Sequence, residues 1–172
     1  LFLTYKDVPD TLMMFLSVPG ALAGAAIFQA LWGHNFSVAV WVGFIAIFGM
    51  AAETGVVMLV YLREALEKRG GLANLRNEEE IKAAVMEGAV HRLRPKLLTE
   101  GATIISLVPL LWATGVGAEF MGPMAVPILG GTLVADEVID IFLPVLFYHE
   151  RVRRWRALKA RETAAVPAPV SA

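Results

Sequence analysis

The stretch Phe36–Leu62, FSVAVWVGFIAIFGMAAETGVVMLVYL, decides the fold. It is apolar along its length except for one ionisable group, Glu53. A helix needs roughly 20 mostly apolar residues to cross the hydrocarbon core of a bilayer, and this run is longer than that. Three further runs behave the same way. Thr11–Trp32 carries no charge, Lys96–Thr114 includes Glu100, and Met121–Tyr148 contains Asp136, Glu137 and Asp140. Residues of the apolar set make up 57% of the 172-residue chain and charged residues 18%. A soluble domain needs about a quarter of its residues charged, so the reading is an all-α polytopic membrane helix bundle with four transmembrane helices.

The connections orient it. Gly33–Asn35 and Gly115–Phe120 are short and hold no Lys or Arg. The stretch from Arg63 to Arg94 is rich in both, and so is the stretch from Arg151 to Arg161. Four spans place both basic stretches on one side, which the positive-inside rule makes cytoplasmic. The chain then divides into five parts. Residues 1–10 form the end of a preceding transmembrane helix (Leu1–Tyr5 is too short to span) and a cytoplasmic turn. Residues 11–62 and 96–148 are two transmembrane helix pairs. Residues 63–95 form a cytoplasmic linker, and residues 149–172 a basic cytoplasmic tail with a disordered end, TAAVPAPVSA. Within the linker, Asn77 caps a helix whose apolar side is Ile81, Ala84, Val85, Ala89 and Val90, the pattern of an amphipathic helix on the membrane surface. Pro95 then opens the third span at its first turn. Gly20 and Gly24 form a GxxxG, and Gly49, Gly55, Gly130 and Gly131 are further candidates for close helix approach.

Ionisable groups in hydrocarbon cost about 2.5–3.5 kcal/mol each and mark function by default. Glu53 sits among small neighbours, Ala51-Ala52 and Thr54-Gly55. It reads as a proton carrier, or else as a neutral carboxylic acid bonded across helices. Lys96 is a relay group or a lysine snorkelling to the headgroups. Glu100 follows it at i+4, in reach of an ion pair. Asp136 and Asp140 share a helix face, with Glu137 turned away. Five acids and one base within the spans cannot all be ionised together, which suits a proton pathway.

There is no cysteine, so soft-metal chemistry falls to thioethers, which suit Cu(I) and Ag(I). Met121 and Met124, one turn apart at the non-cytoplasmic mouth of the fourth span, are the candidates among seven methionines, most of which read as packing. The histidines His34, His91 and His149 are scattered. No HExxH, phosphate loop or nucleophile elbow occurs, so no enzyme site and no resident cofactor is expected. The basic tail is accounted for by topology, and nucleic-acid binding has no support.

Three blocks carry a resemblance: GFIAIFGMAAETGVVMLVYLREALE (Gly43–Glu67), EGAVHRLRPKLLT (Glu87–Thr99) and LLWATGVGAEFMGPMAVPILGG (Leu110–Gly131). Together they resemble the C-terminal membrane region of heavy-metal efflux pumps of the resistance-nodulation-division (RND) family, copper/silver type. The likeness covers Val18 to Gly131. It implies the last four transmembrane helices of a pump that is a homotrimer in the bacterial inner membrane. Such pumps join a periplasmic adaptor and an outer-membrane channel and exchange protons for metal. Glu53 in AAETG matches the family's relay glutamate, Lys96 in RLRPK its relay lysine, and Met121 in AEFMGP a methionine of its metal path. The relay's aspartate belongs to the N-terminal half of such pumps. The divalent branch has AVLNG where this chain has AAETG, so the resemblance favours Cu(I)/Ag(I) as cargo. Glu100 and the acids of Asp136-Glu137-Asp140 depart from the family pattern. Rival readings are a self-standing four-helix structural or assembly subunit, and a divalent-cation or drug-exporting RND member.

Overall fold

The computed structural model describes residues 7–33 and 35–165. Leu1–Tyr5, His34 and the end of the tail from residue 166 lie outside the described residues. Among the described residues four α-helices form the bundle: α1 Val8–Trp32, α2 Val38–Lys68, α3 Glu78–Leu107 and α4 Ala118–Ala165. Two 3-10 turns, Leu72–Asn74 and Val108–Trp112, flank α3.

Local chemistry sets the helix ends. Pro9 opens α1, where the missing N–H is no loss, and Gly33 closes it in the left-handed region, its N–H returning to the Gln29 carbonyl. The Ser37 side chain caps α2 by accepting from the Val40 N–H. At the other end of α2, Gly70 and Gly71 take positive φ, and the Gly71 N–H reaches the Leu66 carbonyl. Asn77 stands at the N-cap of α3 as expected, yet its side chain makes no capping bond. Glu80 does related work by accepting from the Arg76 N–H at 2.9 Å.

α4 packs against each of the other three helices, and α2 lies against both α1 and α3. Met14, Ile47, Met58, Ile139 and Phe147 are buried where they meet. The closest approach is at Gly24 of α1. A Cβ there would lie 2.4 Å from Val134 Cβ and 2.8 Å from the Gly130 carbonyl oxygen, so only glycine lets α1 and α4 meet. Gly130 and Gly131 are packed as tightly, Gly55 less so, with Ser17 Oγ 3.2 Å from where its Cβ would stand, and a Cβ at Gly49 would meet nothing within 4 Å.

Outward faces are apolar. Phe15, Ile27 and Leu31 of α1 and Trp41, Ile45 and Phe48 of α2 are exposed, a larger apolar surface than a water-soluble monomer tolerates. α1 and α2 are long and apolar enough to cross a membrane. α3 and α4 are long enough, but Lys96 and Glu100 interrupt the one and Asp136, Glu137 and Asp140 the other.

The linker differs from expectation. No separate surface helix exists among the described residues, because α3 runs unbroken through Pro95. The face expected to meet lipid is used inside the protein. Ile81 and Ala84 pack with Leu66, Leu75 and Val152, with Trp155 alongside, in a second small core. Burying those side chains against α2 and α4 removes the apolar stripe a membrane surface would need, and Val90 is left exposed. α4 likewise stays helical through the basic stretch to Ala165, pinned by the Trp155 indole N–H donating to the Leu75 carbonyl at 3.0 Å.

Candidate functional site

Lys96 is the largest fully buried side chain, 1% exposed. Its ammonium lies 2.5 Å from Asp140 Oδ2 on α4 and 3.2 Å from a Glu100 carboxylate oxygen one turn along α3. The snorkelling alternative is therefore excluded, since the ammonium turns inward to carboxylates. Asp140 Oδ1 is buried without a hydrogen-bond partner among the described residues. Asp136 takes helical backbone one turn before Asp140, and its side chain lies outside the described residues; Glu137 is exposed.

Glu100 also faces a cavity of about 280 Å³ between α2, α3 and α4, and Glu53 lines the same cavity. Thr54, Arg92 and Thr132 add polar groups to its wall, and Ile47 and Met50 close the apolar side. Glu53 is exposed along this open cavity. It lies fifteen residues into α2, about 23 Å along the axis. Lys96 lies eleven residues before the end of α3 plus the short 3-10 turn, so the two stand at similar depth. Glu53, Lys96, Glu100 and Asp140 thus gather ionisable groups of α2, α3 and α4 about one region of the bundle.

Met121 and Met124 are not part of it. Met121 is exposed near the start of α4, nineteen residues before Asp140, which is about 28 Å of helix. Met124 is half-buried, and its backbone carbonyl packs on Gly43 of α2. No group of three or more His, Asp or Glu side chains suited to a metal ion occurs among the described residues.

A second ionic centre escaped the sequence reading. Asp10, fully buried, accepts from Arg63 Nε and Nη2 at 2.8 and 2.5 Å and from Arg151 Nη2 at 2.6 Å. Asp7 accepts from Arg63 Nη2 at 3.0 Å and from Arg154 at 3.2 Å, which is why it does not cap α1. The hydrogen bond from Arg154 leads in holding the Asp7 carboxyl below its usual range, with the charges of Arg154, Arg151 and Arg63 adding to it against burial. Burial pulls the Arg151 guanidinium down from its ordinary value, opposed by Asp10. Farther out, Arg156 holds Glu78 with two bonds of 2.7 and 3.0 Å, lowering that carboxyl as well. Arginines that read as a topology signal therefore also tie α1, α2, α3 and α4 together. The signal for Asp10 was its charge beside an apolar run; its partners, 53 and 141 residues away, gave none.

An all-helical bundle with apolar outer faces and a buried lysine–carboxylate centre is a protein of the membrane class. Residues 1–150 match the AcrB/AcrD/AcrF family. The chain is 39% identical over 161 residues to the cation efflux system protein CusA of Escherichia coli K12, covering 92% of this chain and 15% of CusA. It is 37% identical to the cobalt-zinc-cadmium resistance protein CzcA of Cupriavidus metallidurans, covering 86% of this chain and 13% of CzcA. A crystal structure of a heavy metal efflux pump superposes with a TM-score of 0.71 at 30% identity, over 86% of this chain and 13% of the pump. The chain belongs to the AcrB/AcrD/AcrF family, and its relatives are heavy-metal efflux proteins of the RND type, as the three blocks led one to expect. It spans about a seventh of the length of those relatives.

Proposed function

We propose that this chain is the C-terminal membrane part of a proton-driven heavy-metal efflux pump, with four transmembrane helices in the bacterial inner membrane. The observation that carries the reading is the burial of Lys96 between Asp140 and Glu100 beside a cavity that Glu53 also lines. A carboxylate that gains a proton loses its hold on an ammonium, so protonation changes which helices the lysine ties together. Each charge crossing the field gains about 2.3 kcal/mol per 100 mV, enough for a proton or two to bias such a rearrangement. In this reading Glu53 takes a proton from the periplasmic side and Lys96 exchanges carboxylate partners. The exposed flank of Glu53 is the face that further helices of a longer protein would cover.

The cargo in this reading is Cu(I) or Ag(I), taken by thioether sulfur at Met121, with Met124 as a secondary candidate. AAETG and 39% identity to CusA support that choice over a divalent ion, although CzcA is nearly as similar. The assembly in this reading is a homotrimer that works with a periplasmic adaptor and an outer-membrane channel.

The test is metal efflux from proteoliposomes holding the full-length protein under an imposed proton gradient. Glu53→Gln keeps the shape but cannot ionise, so transport should be abolished with oligomer content unchanged. Glu53→Asp should retain part of the activity. A Glu53→Gln protein that transports at the unmodified rate sinks the relay.

A further inference from the structure

We propose that Glu100 is a second proton-carrying residue, exchanging with Glu53 through water held in the cavity between them; the proposal rests on the relay reading above. Three observations point to it. Glu100 belongs to both halves of the site, since its carboxylate reaches Lys96 Nζ at 3.2 Å and also lines the cavity with Glu53. Asp140 lies closer to the same ammonium, at 2.5 Å, so Lys96 stays neutralised when Glu100 takes up a proton.

The cavity wall, moreover, holds buried polar groups. Thr132 is 3% exposed, and among the described residues neither its Oγ1 nor the buried Nε of Arg92 has a hydrogen-bond partner. Buried polar atoms of this kind are ordinarily paired with protein or water. At about 30 Å³ per molecule, a cavity of about 280 Å³ has room for several waters.

The charges complete the argument. α2 brings Glu53 to the cavity and α3 brings Arg92 and Glu100, while Lys96 and, on α4, Asp140 join them through the Lys96–Glu100 ion pair. α1 brings none, since its one ionisable residue, Asp10, is held by Arg63 and Arg151. Three carboxylates stand beside two cations, which leaves one negative charge in surplus, and one bound proton removes it. The step balances. Glu53 gives its proton to a cavity water, and that water gives one of its own to a Glu100 oxygen, so two O–H bonds break, at Glu53 and at the water, and two form, at the water and at Glu100. Neutral Glu100 releases Nζ to Asp140, and loss of the proton to water at the Arg92 end restores the pair.

The experiment uses the full-length protein in proteoliposomes, with metal-coupled proton flux read by an entrapped pH dye and carboxyl protonation by infrared difference spectra. Glu100→Gln should lower the coupled flux at least tenfold and remove one protonated-carboxyl band, and Glu100→Asp should restore part of both. Thr132→Val, which leaves the Lys96 pairs untouched, should slow the flux several-fold, while Thr132→Ser should stay close to the unmodified protein. Unmodified flux and an unchanged infrared band in Glu100→Gln would overturn the proposal. Should Glu100→Gln not assemble, unmodified flux in Thr132→Val overturns it instead. An inactive Glu53→Gln beside a fully active Glu100→Gln refutes this proposal alone, whereas a fully active Glu53→Gln refutes the relay itself.

Discussion

Replacing Asp10 by asparagine should open the end of the bundle where it meets Arg63 and Arg151 while leaving the Lys96 centre in place. The side chain is fully buried, and one oxygen accepts from Arg63 twice, at 2.8 and 2.5 Å, and from Arg151 at 2.6 Å. Hydrogen bonds to charged groups contribute roughly 1.5–3 kcal/mol each, so three would suggest a loss well above 5. That sum is too large. Arg63 keeps its bond to Asp7 at 3.0 Å, and the amide fills the same space. Removing one partner of a buried ion pair costs about 3–5 kcal/mol, and the lower end fits here. A loss of about 3 kcal/mol shifts the unfolding equilibrium roughly a hundredfold. Denaturant titration of the full-length protein in mixed micelles reads it directly. Asp7→Asn should cost less, since Asp7 is about a third exposed. Acid makes the same perturbation without mutation. The Asp7 carboxyl is held below its usual range in the folded chain, so its contribution is complete above about pH 4 and is lost as pH falls below that. Hydrogen exchange in the first turn of α1 should therefore rise in acid, and Asp7→Asn should flatten the rise. A stability change under about 0.5 kcal/mol in Asp10→Asn would refute the reasoning.

Two other outcomes are expected. Gly24→Ala should destabilise by about 1–3 kcal/mol, because the new methyl meets Val134 and the Gly130 carbonyl, while Gly49→Ala meets nothing and should be neutral or slightly stabilising; equal melting shifts for the two would refute the close-approach account. Met121→Leu, nearly constant in volume, should leave folding intact and reduce copper or silver resistance in cells; unchanged resistance to both ions returns Met121 to packing.

What was legible in the sequence follows from the range of the interactions. The apolar runs Thr11–Trp32 and Phe36–Leu62 became α1 and α2 because hydropathy is local, and α2 continues to Lys68 because Leu66 finds a second core to pack in. Lys96 and Glu100 were legible as a pair through their i+4 spacing. Asp140 could be named but not joined to Lys96, since 44 residues separate them and only the packing of α3 on α4 brings them together. The linker misled because an amphipathic stripe has the same periodicity whether it faces lipid or protein. Ile81 and Ala84 face protein.

The 48 residues of α4 make a rod of about 72 Å, and a rod has leverage. Asp140 lies eleven residues from Arg151, where the ion cluster holds the helix, and Met121 lies thirty residues from it. A tilt about Arg151 that moves Asp140 by about 1 Å carries Met121 through roughly 2.7 Å, in proportion to those lengths. Pro144 stands between the two charged centres and supplies no N–H to the helix ladder, which makes it the natural place for the rod to bend. A bend there, four residues from Asp140 and twenty-three from Met121, would give a larger ratio still, roughly sixfold, and leave the arginine anchor where it is.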